Sequence, residues 1–388
     1  MKRIATAFAF LTLSFAASAQ KFDYNVNFDY LFRNYEYDGS MELYHKSYTL
    51  HAARLTPEAG LLVIQNDRVF HRVRFGIDIY KDMGARIPLK QHFKEFIFYY
   101  NAEVQMIKGR RLEAVAGCFP RRFAEGDYEG PFFRDDLLFT DPNLEGAFVK
   151  YSSPRLYAEF GLDWNDRFDA SKFERFQMMS SGCWNFAGPF SLCWTGLFYH
   201  FNCAPASPRV IDNHTLELSF KWAPRTSLDD LSISAGGLLS FQRARYVESV
   251  PQIPMGIYSR QHLSKWGLHI DNRIYAGGDL MPYYGRSFDG VDYTADLYLA
   301  DTAFHTMRPG FSWTDCLRVR YEPRLTKFLT VRAELSFSFG EPYPELGSPV
   351  FRGWRQTVAL RLDLNALRPH PKTARTRERR YLFDGFVL

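Results

Sequence analysis

The chain has 388 residues, of which 23% are charged and 17% are aromatic, and its net charge is +5. This charge is too small to indicate nucleic-acid binding. After the N-terminus, no stretch approaches the roughly 20 apolar residues of a membrane-spanning helix. Of the 48 basic residues 35 are Arg, whose guanidinium binds carboxylate and phosphate in a fork geometry that Lys cannot match.

The N-terminus has the three parts of a cleaved secretory signal. Lys2 and Arg3 form a basic start, residues 4–15 are apolar, and Ala17-Ser18-Ala19 precedes Gln20. Such a pattern predicts export across the inner membrane and removal of residues 1–19.

After this segment, apolar and polar residues alternate in run after run. In the stretch 96–106, Phe96, Phe98 and Val104 lie on one parity, and Asn101 and Glu103 lie on the other. Such alternation predicts strands with one apolar face. The runs are longer than the roughly 5 to 6 residues of a soluble strand, and close to the roughly 9 to 11 that cross a bilayer at a tilt. The clearest runs are 22–32, 72–79, 96–106, 214–222, 264–274, 328–339 and 357–364.

Short and long connections alternate along the chain. Short breaks fall near 65–68, 108–110, 152–154, 187–189, 224–229 and 323–327, and longer polar stretches occupy 38–47, 81–94, 119–142, 165–173, 204–213, 244–263, 301–312 and 340–353. Outer-membrane barrels have short periplasmic turns and longer outer loops. With one strand placed within 277–300, the prediction is an all-β transmembrane antiparallel β-barrel of about sixteen strands (14–18) over residues 20–366. A basic tail, 367–388, follows it.

The signal segment, the succession "GCFPRRF", "NLEGAFVKY" and "LDW", and the closing strand "VALRLDLNAL" together resemble the porin-like outer-membrane β-barrel proteins of Gram-negative bacteria. The resemblance implies a barrel in the outer membrane, contact with its lipid and, more loosely, a channel. It transfers no catalytic residue.

Charged residues on the polar parity would point into the barrel. Two interpretations stay open: a charged constriction that favours anionic solutes, or cross-strand ion pairs that stiffen the wall. The candidates are Arg72, Arg74, Glu103, Asp271, Arg273, Arg318, Arg320, Arg332, Glu334 and Arg361.

The stretch 119–142 is the most distinctive loop. It could fold into the pore and narrow it, or remain outside as an ordinary extracellular loop. Its charged candidates are Arg121, Arg122, Arg134, Asp135 and Asp136.

Two cysteines fit a predicted hairpin register. Pairing positions whose numbers add to 376 across the 187–189 turn places Cys183 opposite Cys193 on the inner face. A disulfide is allowed because the periplasm is oxidising. The cysteine spacings indicate no metal site.

Signals for catalysis are weak. Common hydrolase and phosphate-binding motifs are absent from the sequence. His200, His214, His262, His269 and Asp271 could lie near strand ends, but no spacing singles out a triad. The prediction is therefore a protein that is not an enzyme and that needs no cofactor.

The predicted function is a porin-like channel for small hydrophilic, mainly anionic solutes. The alternative is a structural or surface-interaction barrel with a filled lumen that acts through its outer loops. A barrel-type hydrolase ranks third. A homo-oligomer is compatible with the class, and nucleic acid is not an expected partner.

Overall fold

The computed structural model describes residues 19–38, 47–86, 88–167, 174–204, 207–285, 287–288, 291–292, 297–308, 310–323 and 325–364. The predicted signal, apart from Ala19, and the predicted tail 367–388 lie outside the described residues.

The described chain is a closed antiparallel barrel of sixteen strands, which confirms the predicted fold class. Each barrel strand pairs with the next barrel strand along the chain, and the last one closes on the first, with Phe28 opposite Leu362. The strands are β1 (Ala19–Tyr37), β2 (Tyr48–Asn66), β3 (Val69–Asp82), β4 (Phe93–Met106), β5 (Arg110–Pro120), β6 (Asn143–Ser152), β7 (Leu156–Asp166), β8 (Arg175–Ala187), β9 (Phe190–Ala204), β10 (Ser207–Trp222), β11 (Asp230–Ala244), β12 (Met255–Lys265), β13 (Leu268–Gly277), the two-residue β14 (Ser287–Phe288) and β15 (Val291–Asp292), which pair only with each other, and then β16 (Ser312–Tyr321), β17 (Leu329–Gly340) and β18 (Phe351–Asp363).

The apolar parity of the strands faces outward. On β4, Phe96 and Phe98 are 72% and 52% exposed, whereas Ile97 and Tyr99 between them are 1% exposed. Successive side chains of a strand point to opposite faces, so one register places every apolar residue of this parity on the outside. A large outward apolar surface is stable in lipid but not in water.

Two connections differ from the prediction. The predicted strand within 277–300 is wrong, because β13 pairs directly with β16 in the closed barrel. The strand that the prediction lacks is β12, most of which lies in the predicted loop 244–263. The predicted run 264–274 is divided by a two-residue turn, in which Trp266 and Gly267 both have positive φ. The outward parity of β12 carries Ser259 and Gln261, and this weakens the alternation from which strands are predicted.

The predicted long loop 204–213 is also wrong. Strand β9 ends at Ala204 and strand β10 begins at Ser207, so the two strands contain most of this polar stretch. Polar residues here lie on strands because these strands rise to the edge of the apolar band, where polar side chains are tolerated.

Helical structure is marginal in the described chain. One four-residue α-helix, Leu137–Thr140, and a few 3₁₀ turns occur in the connections. No described helix is long and apolar enough to cross a membrane.

Two connections fold into the barrel and fill much of its interior. The β5–β6 connection places Phe132, Phe133 and Leu137 in an apolar cluster with inner residues of several strands. The β13–β16 connection contributes Leu280 and Phe304 to the same cluster. Its Met281, Tyr283, Leu297 and Tyr298 form a second cluster against β9 and β10. The lumen therefore has an apolar core of its own where these two connections lie.

We expect Phe98→Arg to impair membrane assembly, because a cation on the lipid-facing side near the bilayer midplane costs about 2–4 kcal/mol. Heat-modifiable migration on gels measures the folded fraction, which should fall.

Glu103→Gln on the inner face of the same strand is the matched control. Arg72 lies 3.4 Å from Glu103, and an amide can still accept that hydrogen bond, so the folded fraction should stay at the wild-type level. A Phe98→Arg variant that folds as well as this control would contradict the orientation of β4.

Candidate functional site

The ten predicted lumen residues all lie on the inner face, and most are engaged in ion pairs. Arg74 lies 2.7 Å from Asp23 and Arg332 lies 2.6 Å from Glu322. Looser pairs join Arg320 to Asp271 at 3.8 Å and Arg361 to Asp29 at 3.7 Å, while Arg318 lies 3.6 Å from Glu334 and Arg273 contacts Glu129. Because each of these arginines faces a carboxylate, the wall is a lattice of cross-strand pairs.

One predicted loop residue, Asp135, meets three arginines of the inner wall. The Asp135 carboxylate lies 3.1 Å from Arg33 and 3.6 Å from Arg318, and it also contacts Arg355. Nearby, Glu129 of the same loop contacts Arg318. Of the two interpretations of this loop, the inward one describes its path.

Charge is concentrated where the loop meets the wall. Burial raises the pKa of Asp135, but the guanidiniums of Arg33, Arg355 and Arg318 lower it by more, so that the pKa lies well below the ordinary value. Breaking a buried pair by removing one partner costs about 3–5 kcal/mol, because the other charge stays buried and unpaired. Asp135 is therefore the main electrostatic anchor of the loop.

Of the remaining loop candidates, two anchor the start of the loop and two pair within it. Arg121 reaches Asp141 at 2.6 Å and Asp163 at 3.3 Å, and Arg122 reaches Glu58 at 3.0 Å. Arg134 and Asp136 pair with each other at 2.9 Å. A small cavity of about 10 Å³ lies between Phe132, Leu197 and Met281, enough for about one water molecule.

Cys183 and Cys193 are directly opposite in the β8–β9 register, and their sulfurs are bonded. The bond joins two strands next to a tight turn, so the loop that it closes is short. Among the described residues, one trio, Glu95, Cys118 and Glu145, brings three ligand atoms within 4.8 Å of one another. Cys118 and Asn143 already donate hydrogen bonds to Glu95, and this accounts for its position without an ion.

Three histidines of the described chain lie beside a carboxylate. His262 Nδ1 lies 2.6 Å from Asp271 on the inner wall, near the periplasmic turn of β12 and β13. His305 Nδ1 lies 2.8 Å from Asp279 in the inward-folded β13–β16 connection. The third, His214, lies 4.0 Å from Asp212 on the outward face of β10. A histidine held by a carboxylate can accept a proton and return it.

The pair of His214 and Asp212 faces lipid at the outer edge of the membrane. About ten residues separate Asp212 from Trp222 at the other end of β10, which is roughly 33 Å along the strand. At the usual tilt of about 40° this corresponds to roughly 25 Å along the membrane normal, the height of the apolar band. The group therefore lies at the level of the outer-leaflet headgroups.

Five ionisable residues of three adjacent strands form this group, which we call the rim cluster: His200, Asp212, His214, Arg243 and Arg245. In the strand registers His200 and Arg243 both lie opposite Asp212. Arg245 holds Asp212 with two hydrogen bonds of 2.8 Å and 2.7 Å.

Aromatic rings frame both histidines of the rim cluster. The ring of His200 stacks on Phe176 with centroids 4.9 Å apart, and that of His214 stacks on Phe241 at 5.8 Å. The His214 Nδ1 atom is buried and makes no hydrogen bond within the described part of the chain. Five ionisable side chains grouped on one outward-facing patch make the rim cluster a candidate functional site.

Both histidines of the rim cluster are among the residues predicted from the sequence, but Asp212, Arg243 and Arg245 are not. All three lie in or beside stretches predicted as loops. Asp212 is two residues from His214 on β10, and the strand register brings His200 and Arg243 opposite Asp212. A usable signal was the outward parity of Asp212 and His214 on a strand whose other outward residues are Leu216, Leu218 and Phe220.

Solved structures show what this fold resembles. The chain is similar to a loop L8 deletion mutant of OmpT, an outer-membrane protein of Vibrio cholerae, with 11% identity, a TM-score of 0.52, and 89% of this chain and 99% of that chain covered. The trimer form of in-vitro folded OmpT gives 8% identity and a TM-score of 0.50 over 89% and 99% of the two chains. These likenesses confirm the resemblance to porin-like outer-membrane barrels. No curated protein matches the chain.

A family profile adds information that the fold does not contain. The profile described as lipid A 3'-O-deacylase-type matches residues 15–288, more than two thirds of the chain. The prediction that the protein is not an enzyme is therefore wrong, because a deacylase is a hydrolase. The prediction failed because it depended on common catalytic motifs, whereas His214 and Asp212 match none of them and are joined by His200, Arg243 and Arg245 only through the strand register. The chain belongs to the lipid A 3'-O-deacylase-type family.

Proposed function

We propose that the protein is an outer-membrane hydrolase that cleaves an ester-linked acyl chain from a glycolipid of the lipid A type, with the rim cluster as its reactive site. The single observation that carries the proposal is the position of His214 and Asp212, on the lipid-facing surface at the height of the outer leaflet. Family membership supports the reaction class.

Access distinguishes the rim cluster from the other two histidine–carboxylate pairs. A lipid with several acyl chains reaches the barrel laterally, through the leaflet, and an outward-facing histidine is open to it. His262 and His305 lie on the inner side of the barrel, where an acylated substrate would have to displace packed side chains of the lumen.

The geometry supports general-base hydrolysis. The His214 imidazole can take a proton from a water molecule as the water oxygen attacks the ester carbonyl carbon. The carbon–oxygen bond to the sugar then breaks, and the imidazolium returns the proton to the leaving oxygen, giving a fatty acid and a free hydroxyl. The Asp212 carboxylate, 4.0 Å from His214, would stabilise the imidazolium through charge, and Arg245 would keep Asp212 in place.

We expect His214→Gln to lower acyl release by roughly 10²- to 10⁴-fold, the usual contribution of a general acid–base residue. The assay incubates the folded protein with lipid A and quantifies free fatty acid and the deacylated product by mass spectrometry.

His262→Gln, which alters the histidine–aspartate pair of the inner wall, is the matched control and should retain wild-type acyl release. The proposal fails if the wild-type protein releases no acyl chain, or if the His262 variant loses the activity while the His214 variant keeps it.

A porin-like channel is the second candidate, and the arginine-rich inner wall favours it. The position of the β5–β6 connection, however, leads us to expect that ion flow depends on that loop. Planar bilayers with the wild-type protein should show low conductance, and Asp135→Asn should produce larger stepwise openings, because it weakens the contacts to Arg33, Arg318 and Arg355.

The pH dependence has a defined sign. Because the pKa of Asp135 is depressed in the folded protein, its stabilisation of the loop is fully present above the ordinary carboxyl pKa of about 3.9. It is lost as pH falls toward the lower folded value. Wild-type openings should therefore stay rare at neutral pH and increase only in strong acid. Large wild-type conductance at neutral pH, unchanged in the Asn variant, would contradict this role of Asp135.

A further inference from the structure

We propose that Arg243, together with the apolar side chains of the β11–β12 connection, binds the phosphate-bearing headgroup of an outer-leaflet glycolipid. The inference deepens the proposed function by assigning the substrate-recognition part of the rim cluster, and it rests on that proposal for the identity of the lipid.

Arg243 differs from the other rim arginine in its surroundings. The guanidinium of Arg245 donates two hydrogen bonds to the Asp212 carboxylate. Arg243 lies opposite the backbone of Asp212 in the register, yet its side chain has no ion pair within the described ranges, and its Nε atom is buried without a hydrogen-bond partner there. An arginine without a carboxylate at the membrane edge is available to an anion from outside the protein.

The connection beside Arg243 exposes a set of apolar side chains. Tyr246 is 68% exposed, Val250 is 71% exposed, and Val247 and Ile253 are also exposed. Directly below them on the outward face of β12, Met255 and Ile257 continue the apolar surface down the barrel. We call this set the rim loop surface.

The backbone holds the rim loop surface in place. The amides of Val247 and Glu248 both donate to the Ala244 carbonyl, and Gln242 and Gln252 exchange two backbone hydrogen bonds. Glu248 turns the other way and accepts a hydrogen bond of 2.7 Å from Tyr283 inside the barrel. The valines are therefore exposed on a loop that its backbone hydrogen bonds hold in place. The Glu248 side chain of this loop is directed inward.

These features match one class of ligand. A guanidinium binds phosphate oxygens through two parallel hydrogen bonds, and the Arg243 position is at the headgroup level derived above for Asp212. Tyr246 suits the interface, where aromatic side chains with a polar end are enriched. Ile253, Met255 and Ile257 offer acyl chains an apolar path below it. A lipid with a phosphorylated sugar head and several chains fits both parts, and a free phosphate ion would use only the first.

Binding can be measured without catalysis. The full mature protein, folded in detergent micelles, is titrated with lipid A carrying its phosphates and with chemically dephosphorylated lipid A, and bound lipid is counted by native mass spectrometry. We expect wild-type protein to prefer the phosphorylated lipid, and Arg243→Gln to lose this preference with an affinity reduced roughly tenfold or more.

Two further variants make the result specific. Arg243→Lys keeps the charge but not the fork and should bind at an intermediate level. Arg225→Gln, which changes an exposed arginine after β10 at the opposite membrane edge, should bind like wild type. Heat-modifiable migration checks that each variant is folded, and Arg243, with no partner among the described residues, should be dispensable for folding.

The outcomes separate this inference from the proposed function. Equal wild-type affinity for the two lipids, or unchanged binding by Arg243→Gln, overturns the inference even if acyl release is observed. Conversely, Arg243-dependent binding in a protein that releases no acyl chain keeps the lipid site and removes the hydrolase. Displacement of lipid A by millimolar inorganic phosphate alone would indicate a simple anion site and would also overturn the inference.

Discussion

Closure of the sheet is the constraint on which the rest of the molecule depends. Inside a bilayer every backbone N–H and C=O must find a partner within the protein, because lipid offers none. The pairing of β1 with β18 supplies the last row of hydrogen bonds, with Tyr30 opposite Leu360 and Arg33 opposite Thr357. An open edge at this seam would leave two strands of unpaired polar groups in hydrocarbon, so sixteen strands fold as one unit.

Closure also creates an inside, and this protein fills it. The inner parity of the strands carries arginines and carboxylates, and the β5–β6 connection brings further carboxylates, Glu129 and Asp135, to the arginines that would otherwise repel one another. Aromatic side chains of the same connection pack around them. Charge balance and apolar packing thus act together, and the lumen resembles the interior of a soluble domain more than a water-filled passage at these heights.

The outside carries two kinds of surface. Most outward side chains are apolar, as lipid contact requires, and a group of ionisable ones lies where β9, β10 and β11 reach the headgroup level. There the cost of a charged side chain falls toward zero, while a lipid carbonyl or phosphate comes within reach. The proposed hydrolysis would take place at this interface between barrel and outer leaflet.

The sequence by itself determined the barrel. Alternation with a period of two, repeated over runs long enough to cross a bilayer, predicts the strands and their orientation, since side-chain direction in a strand follows from parity alone. It determined less where alternation weakens: β12 carries Ser259 and Gln261 among its outward residues, so the strand escaped detection and one was placed within 277–300 instead. The direction taken by the β5–β6 connection was left open, because a loop of mixed charge is compatible with either side.

Tertiary structure alone decided which charges meet. Asp135 contacts Arg33 and Arg355, which lie near opposite ends of the chain. Asp212 lies opposite His200 of β9 and is bound by Arg245, which directly follows β11. Such contacts depend on strand register and on the path of the connections across the barrel, and neither is encoded in the spacing of nearby residues. For the same reason the absence of a common catalytic motif was a poor guide to function, since the rim cluster joins a pair on one strand, His214 and Asp212, to side chains of the two neighbouring strands.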